Sequence, residues 1–302
     1  MKDVMLTEDA ALAASSPHLA TLYRGDATRL IAALPNDALD LTMTSPPYCM
    51  GKEYESRRDL AAFEEAHQVL LPEVARVTKP GGSICWQVGN FVKNGEMVPL
   101  DALVYEIMRK IPGVKLRNRI VWTFGHGLHC KNRFSGRHET LLWFTKEGAP
   151  YTFDLDAVRV PQKYPGKRHN KGPLKGEFSG NPLGKNPGDV WDIPNVKSNH
   201  VEKTDHPCQF PVALVQRVVR GLTKPGDLVF DPFSGASSTG VGALFEKRRY
   251  LGSEISNKYS KISLERLDSA ALGSARIRSI DQEVWTPGPS LKVAQRPDHF
   301  RS

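Results

Sequence analysis

The amino-acid sequence predicts an α/β fold, in which a mostly parallel sheet is covered by helices on both faces. Short apolar runs alternate with longer helical stretches along the 302 residues, and this alternation is typical of parallel strands joined by crossover helices. A Lys-Pro-Gly turn also precedes a buried strand twice, at 79–82 and at 224–227. A hydrophobic content of 40% and a charged content of 25% are ordinary for a globular chain that buries a large core.

Six strands are predicted from short runs of apolar and β-branched residues between turn signals. They are Leu39–Thr44, Ser83–Val88, Arg119–Phe124, Thr140–Thr145, Leu228–Asp231 and Tyr250–Glu254. Five helices are predicted from apolar residues that recur at helical spacing. They are Leu60–Val77, Pro99–Lys110, Pro211–Leu222, Ser238–Glu246 and Ser256–Asp268.

Three regions lie outside this alternation. The small-residue segment Ala10–Ser16 follows two acidic residues rather than a basic segment, so it is expected to be part of a loose tail and not a signal peptide. The middle region is rich in Pro, Gly, Lys and Asn, and loops of such length are usually functional or disordered. The chain therefore divides into a flexible N-terminal tail (1–20), a first half of the α/β domain (21–149), an insertion (150–205), a second half (206–270) and a C-terminal tail (271–302).

The charge distribution favours an acidic partner such as nucleic acid. Lys and Arg number 41 against 33 Asp and Glu, for a formal charge of +8. The acid-free stretch Val158–Gly176 holds six Lys and Arg, and Ile107–His138 holds eight together with Trp122, Phe124 and Phe134. Basic residues interleaved with aromatic ones suit phosphate contacts and base stacking, the alternative being solvated basic loops.

Cysteine and hydropathy patterns indicate a reducing, cytoplasmic location. The four cysteines lie far apart and form no C-x-x-C pair, so neither a disulfide framework nor a zinc knuckle is predicted. The cluster His126–Cys130 offers two His and one Cys without a distant fourth ligand, so no metal is expected there. No stretch approaches the length of a membrane-spanning apolar segment.

The segment TSPPY, residues 44–48, closes the first predicted strand with two prolines. Because proline fixes its own φ and restricts the residue before it, such a pair is ordinary turn chemistry after a strand. Taken alone, the segment therefore predicts no more than a rigid turn.

A second segment, GDLVFDPFSGASSTGVGAL at 226–244, has the organisation of a ligand-binding loop. A buried strand leads into a glycine-bearing loop and then into a helix, an arrangement that directs backbone N–H groups at a ligand. It lacks the G-x-G-x-x-G pattern of nicotinamide binders and the G-K-S/T of a P-loop. The next strand ends in Glu254, where an acid can accept hydrogen bonds from two ribose hydroxyls. Together the two features predict a nucleoside cofactor.

The order of the motifs resembles the β class of S-adenosylmethionine-dependent DNA amino-methyltransferases, which methylate cytosine N4 or adenine N6. The motifs are TSPPY, the K-P-G-G strand, RFSGRHETLLWFTK, HPCQFPVAL, FDPFSGAS and GSEI, and they span about Tyr23 to Leu267. The resemblance implies a Rossmann-like methyltransferase sheet with a catalytic half (21–149), a loop-rich insertion for target recognition (150–205) and a cofactor-binding half (206–270). It also implies S-adenosyl-L-methionine as cofactor and double-stranded DNA as partner.

In that class the element corresponding to TSPPY is catalytic, so the resemblance implies catalytic roles for Ser45, Pro46, Pro47 and Tyr48. An exocyclic amine on a base is a poor nucleophile because its lone pair is delocalised into the ring. The Ser45 hydroxyl and the Pro46 carbonyl are expected to accept the two amine hydrogens, with the prolines fixing the direction of that carbonyl. Tyr48 is expected to stack on the base once it has left the duplex. No cysteine nucleophile is needed.

The resemblance further implies cofactor-binding roles for Asp26, Asp231, Phe233, Gly235, Ser237 and Glu254. Glu254 corresponds to the ribose-binding acid and Asp26 to a residue near the adenine ring. Ser237 stands where relatives usually have a second glycine, and Cys49 stands where Asn often follows P-P-Y. His206 and Gln209 of HPCQFP are interpreted either as part of the same pocket or as a turn that caps the following helix.

Ser in the first position of the catalytic element is typical of cytosine-N4 enzymes, whereas Asp predominates among adenine-N6 enzymes of this class. The sequence therefore favours cytosine N4 and leaves adenine N6 open. RNA and protein-glutamine methyltransferases that also use N-P-P-Y normally carry the cofactor loop before it, the reverse of the order here. A nucleic-acid-binding module with a dead catalytic core is a further alternative, although the catalytic element is intact. Members of the class frequently pair, so a homodimer is one expectation, and a role in restriction-modification is open.

Overall fold

The computed structural model describes residues 3–48, 59–125, 127, 129–283, 288–292 and 294–295. The strands are β1 (Val4–Thr7), β2 (Ala20–Arg24), β3 (Leu39–Thr44), β4 (Thr78–Val88), β5 (Asn90–Lys93), β6 (Glu96–Pro99), β7 (Val114–Thr123), β8 (His138–Lys146), β9 (Val190–Asp192), β10 (Leu228–Asp231) and β11 (Arg249–Glu254). The helices are α1 (Ala10–Ala14), α2 (Ala27–Ala33), α3 (Leu60–Val77), α4 (Leu100–Met108), α5 (Val212–Leu222), α6 (Ser238–Phe245) and α7 (Asn257–Ala271). All six predicted strands and all five predicted helices are present.

Within the described residues, nine strands form one sheet in the order β1-β2-β11-β10-β3-β4-β8-β7-β9. Only β8 runs antiparallel to its neighbours, β4 and β7, whereas the other neighbouring pairs are parallel. The prediction of a mostly parallel α/β sheet is therefore confirmed. The remaining strands, β5 and β6, form a small separate ribbon.

The sheet separates two apolar cores, one on each face. Along β4, Ile84 and Trp86 pack with α3 in one core, whereas the intervening Cys85 packs with α5 in the other. This alternation follows from the two-residue period of a strand, and it explains why β4 reads as a continuous apolar run. No helix in the described part of the chain is long and apolar enough to cross a membrane.

The carboxyl ends of five adjacent parallel strands, β2, β11, β10, β3 and β4, meet at one edge of the sheet. Because ligands of open α/β sheets bind outside this edge, the segments that follow the strands are where a site is expected. The segments that begin with Gly25, Ser45, Gly89, Pro232 and Ile255 therefore lie close together.

The N-terminal segment differs from the expected tail. The strand β1 pairs in parallel with β2, with Val4 opposite Ala20, and α1 is capped by Asp9, whose Oδ1 accepts hydrogen bonds from Ala11 N and Leu12 N. Pairing at the sheet edge satisfies the backbone of a strand too short to show a period in the sequence. After α7, Ile277 and part of the following segment also pack on the core; the rest of the predicted C-terminal tail lies largely outside the described residues.

The region 150–205 is rich in loops, as expected. Its regular structure consists of a short 3₁₀ turn at Asp156–Val158, strand β9 at the sheet edge, and two isolated bridges, Val160 with Lys185 and Arg168 with Phe178. The Arg168 guanidinium lies 4.0 Å from the Phe178 ring centroid. The insertion therefore presents basic and aromatic side chains on a framework of few hydrogen bonds.

Candidate active site

A cavity of about 710 Å³ opens at the carboxyl edge of the sheet. Its wall contains most of the residues proposed from the sequence: Asp26, Ser45, Pro46, Pro47, Tyr48, Phe233, Gly235 and Glu254. The volume falls in the range of roughly 300–1,000 Å³ that is usual for ligand sites. Two segments almost 200 positions apart in the chain, TSPPY and FDPFSGAS, thus line one space.

Glu254 anchors one end of the cavity. Its Oε2 accepts a hydrogen bond from Gly235 N at 2.9 Å, and its Oε1 accepts one from Ser256 N at 2.8 Å. Burial raises the pKa of Glu254 to about 7. Each carboxylate oxygen retains a lone pair for a further donor, so a diol beside this residue would find two acceptors.

Gly235 allows the chain to approach closely at this end. Its φ is +52°, and a Cβ at this position would lie 2.9 Å from Nε2 of His206. The His206 ring is held edge-on to Tyr259, with centroids 4.5 Å apart, and burial lowers its pKa to about 4. A neutral imidazole and a glycine backbone therefore form a narrow cradle beside Glu254.

Asp231 and Ser237 are buried behind the cavity and are not part of its wall. Asp231 Oδ1 accepts hydrogen bonds from Thr44 Oγ1 at 2.6 Å and from Phe233 N at 3.0 Å, and burial raises the pKa of Asp231 to about 6. Asp231 thereby joins the end of β3 to the loop after β10. Ser237 has φ +52°, a left-handed conformation that favours glycine, which gives a physical reason for the glycine that relatives carry at this position.

Asp26 lies between these two arrangements in character. It is exposed, lines the cavity, and caps α2 through a 2.8 Å hydrogen bond that its Oδ1 accepts from Thr28 N. Its second carboxylate oxygen is the one left for a ligand.

A hydrogen-bonded cluster occupies the opposite end of the cavity. Ser45 Oγ lies 3.2 Å from Tyr48 Oη, which also accepts a hydrogen bond from Gln87 Nε2 at 3.0 Å. Gln87 Nε2 donates a second hydrogen bond to Glu139 Oε2. Burial raises the pKa of Tyr48 well above its usual value, so its phenol stays protonated and its ring is held in one orientation.

Sequence reasoning missed four residues of this end. Gln87 and Glu139 complete the cluster, and Trp122 and Phe124, with ring centroids 5.1 Å apart, form an aromatic wall. A signal was present for two of them, since Gln87 is a polar residue inside the apolar strand β4 and Glu139 is an acid directly before the apolar run of β8.

Both interpretations of the HPCQFP segment hold. His206 and Gln209 line the cavity, and Gln209 also fixes the local turn, accepting a hydrogen bond from Thr204 Oγ1 at 2.9 Å and donating one to Glu202 O at 2.8 Å. Cys49, His126 and Leu128 lie outside the described residues. Within the described ones, no group of His, Cys, Asp and Glu could hold a metal ion.

A comparison with known protein families now bears on this cavity. The profile of N6_N4_Mtase, the DNA methylase family, matches residues 39–265, which include both ends of the cavity. The chain belongs to this family. It is therefore a DNA methyltransferase of the N4/N6 amino-methyltransferase group and uses S-adenosyl-L-methionine.

Curated relatives agree with this assignment. The chain is 45% identical over 249 residues to Type II methyltransferase M.BglII of Bacillus subtilis, covering 82% of this chain and 69% of the relative. It is 33% identical over 267 residues to DNA adenine methyltransferase YhdJ of Escherichia coli, covering 84% of this chain and 85% of the relative.

Solved structures show the same fold. The PvuII DNA methyltransferase (cytosine-N4-specific) superposes with a TM-score of 0.65 over 81% of this chain and 84% of that chain, at 24% identity. TTHA0409 of Thermus thermophilus, described as a DNA modification methylase and solved in complex with S-adenosyl-L-methionine, gives a TM-score of 0.59 at 26% identity, over 87% of this chain and 99% of that chain.

The residues of this DNA methyltransferase fit S-adenosyl-L-methionine. A Cβ would fill the cradle at Gly235, so the backbone there is open to close approach by a ligand. The carboxylate of Glu254 offers acceptors for ribose hydroxyls, and Asp26 offers one near the rim. These are the donor and acceptor types that a nucleoside with a small charged tail requires.

Proposed function

We propose that this DNA methyltransferase methylates N4 of cytosine within a specific site in double-stranded DNA. The observation that carries the proposal is the joining of two ends in one cavity, with Glu254 and Gly235 at one end and Ser45 with Tyr48 at the other. A donor bound at the first end would lie beside an amine held at the second. A hydroxyl at Ser45, where adenine-N6 enzymes of the class mostly carry Asp, supports cytosine as the target base.

Ser45 and Pro46 are proposed to hold the amine. Ser45 Oγ and the Pro46 carbonyl would each accept one amine hydrogen, which favours a localised lone pair directed away from both. When bound, the cofactor supplies an electrophilic methyl group. Pro46 and Pro47 lack N–H donors, so neither competes for the acceptors. Thr44 ends β3 and is held by Asp231, so the two acceptors begin from a fixed point.

Tyr48 is proposed to form the platform on which the flipped base stacks. Its Oη is within hydrogen-bonding distance of Ser45 and Gln87, which fixes the plane of the ring before a base arrives. A preset platform lowers the entropic cost of ordering the base beside the donor. Trp122 and Phe124 are further aromatic surfaces within the same wall.

Asp26, Phe233, Gly235 and Glu254 are proposed to bind the cofactor from the cavity wall. Asp231 and Ser237 are proposed to act behind the wall, since they shape the loop after β10. The insertion at 150–205 is proposed to recognise the target sequence, because it presents exposed basic and aromatic side chains. Action on cellular DNA as the methylating partner of a restriction enzyme, in the cytoplasm and as a homodimer, is consistent with the Type II relatives.

Adenine N6 is the second candidate target. It is favoured by the 33% identity to a relative named as a DNA adenine methyltransferase. Cytosine N4 and adenine N6 present the same two amine hydrogens, so the acceptors at Ser45 and Pro46 suit both.

The test is to incubate the protein with DNA and labelled S-adenosyl-L-methionine, digest the DNA to nucleosides and identify the methylated species by mass. N4-methylcytosine is the expected product. N6-methyladenine would replace the cytosine assignment by the adenine one. Label in 5-methylcytosine, or on protein with none on DNA, would contradict amine methylation altogether.

A further inference from the structure

The cluster at the Ser45 end of the cavity contains a carboxyl group for which the transfer described above has no use. Glu139 begins the apolar part of β8 and lines the cavity together with Ser45 and Tyr48. Burial raises its pKa, opposed only by hydrogen bonds from Gln87 and Tyr48. No cation is among the groups that shift the pKa of Glu139, so a charge on this carboxyl would be poorly compensated.

The hydrogen bonds of Gln87 identify which oxygen of Glu139 is available. Gln87 has two amide hydrogens; Nε2 donates one to Tyr48 Oη and one to Glu139 Oε2. The other oxygen, Oε1, lies beside Gly89 in the cavity wall, where a Cβ would come within 3.2 Å of Oε1 and 3.3 Å of Tyr48 Cε2. The missing side chain at Gly89 leaves space for a ligand edge next to Oε1.

The chemistry of the bases indicates what such an edge would present. In cytosine the ring atom adjacent to the amine-bearing carbon is N3, and in adenine it is N1; both are hydrogen-bond acceptors. Thymine and guanine carry an N–H donor at the corresponding ring position. A neutral carboxylic acid donates to the first pair, whereas a carboxylate accepts from the second.

We propose that Glu139 is a specificity-determining residue that donates a hydrogen bond, as a neutral acid, to the ring nitrogen beside the target amine. This inference rests on the proposed function, because it requires a flipped base with its amine at Ser45. Filling the cavity removes water from the carboxyl group, which favours the neutral form further. The bond turns the amine toward Ser45 and rejects thymine and guanine, whose N–H would oppose the acid proton.

The surroundings of Glu139 contain few other titratable groups. Tyr48 faces it from the segment after β3, and Cys208 lies near Tyr48 from the segment before α5. Gln87 on β4 and Trp122, paired with Glu139 across β7 and β8, are neutral. Activity should therefore fall as rising pH ionises Glu139, and this limb of the pH profile should be missing in Glu139→Gln.

The test compares two duplexes that contain the site the enzyme methylates, as mapped by sequencing of methylated DNA. One has the natural target base. The other has 3-deazacytosine at the target, or 1-deazaadenine if the product is N6-methyladenine, so that a C–H replaces the ring nitrogen while the amine remains. For the wild type, we expect the replacement to lower kcat/KM by roughly 10- to 100-fold, the loss for an unmatched buried donor.

The variants separate this role from a structural one. In Glu139→Leu the two duplexes should react within about twofold of each other, because the hydrogen bond is already absent. In Glu139→Gln the amide still donates, so discrimination against the deaza base should persist. Glu147→Leu is the matched control, since Glu147 follows the other end of β8 and pairs with Lys115. Its discrimination should equal that of the wild type.

A binding measurement without a methyl donor gives a second readout. Fluorescence anisotropy should show that wild type and Glu139→Gln prefer the natural duplex to the deaza duplex and that Glu139→Leu does not. An equal deaza penalty in wild type and Glu139→Leu, or none in the wild type, would overturn the proposal. Failure of the wild type to methylate the natural duplex would instead contradict the proposed function.

Discussion

Glu254 holds the cofactor end of the cavity in place. Its two oxygens accept hydrogen bonds from Gly235 N and Ser256 N, so one side chain joins the loop after β10 to the start of α7. The same carboxylate is proposed to accept the ribose hydroxyls. Because its pKa is raised to about 7 by burial, a substantial share of the protein without ligand carries a proton there at neutral pH.

Cofactor affinity should therefore depend on pH through Glu254. The ionised form is the better acceptor, so affinity should increase as pH rises through about 7 and decrease below it, with a proton released on binding near neutral pH. Glu254→Gln should weaken binding by roughly tenfold or more and remove this dependence. Isothermal titration calorimetry in buffers of different ionisation enthalpy measures both. A pH-independent affinity in the wild type would contradict the assignment.

At the scale of elements, the insertion stabilises the helix that follows it. Glu202 Oε2 accepts a hydrogen bond from Val212 N at the start of α5, and its Oε1 accepts one from Arg278 N after α7. A carboxylate at a helix N-terminus also interacts favourably with the helix dipole. Glu202 thus links the second half of the sheet domain to the segment beyond α7.

Glu202→Ala should lower the free energy of unfolding by about 1–3 kcal/mol, because two buried N–H groups lose their acceptor. Urea denaturation followed by circular dichroism measures the change. Glu177→Ala, an exposed acid in the same insertion, is the control and should change stability by less than about 0.5 kcal/mol. Equal effects of both substitutions would contradict the capping role.

Elements with a clear period were predictable, and the site could be predicted where it follows them. The sequence predicted β3, β10 and β11, and with them the meeting of Ser45, Phe233 and Glu254 at one edge. It did not predict β1 or α1, which are too short for a period and depend on the sheet edge and on the Asp9 cap. Nor did it predict Gln87 with Glu139, since their contact depends on the antiparallel register of β4 and β8.

At the scale of the whole molecule, basic loops surround the cavity of a protein with formal charge +8. The loop between β7 and β8 begins and ends at the cavity wall, because Phe124 N donates a hydrogen bond to Arg137 O at 3.0 Å. Lys131, Arg133 and the fully exposed Phe134 project from it. Their position at the rim suits contacts with the DNA backbone around a flipped base.

Lys131→Ala and Arg133→Ala should each weaken DNA binding and reduce the slope of log affinity against log salt concentration by about one. Lys224→Ala is the control, since Lys224 is exposed before β10 at the opposite edge of the sheet. Anisotropy titrations at several salt concentrations measure the slope. A salt slope unchanged in both loop variants would show that this loop does not contact phosphate.

The central claim is that one cavity binds the methyl donor at one end and positions the target amine at Ser45 at the other. The most direct test is Ser45→Ala, assayed for single-turnover transfer of label to DNA and, by calorimetry, for cofactor affinity. Loss of one charge-localising hydrogen bond should reduce the transfer rate roughly 100-fold or more. Cofactor affinity should stay within about twofold of wild type, because Glu254 and Gly235 are untouched. Full transfer activity in Ser45→Ala, or a collapse of cofactor affinity with it, would contradict the account.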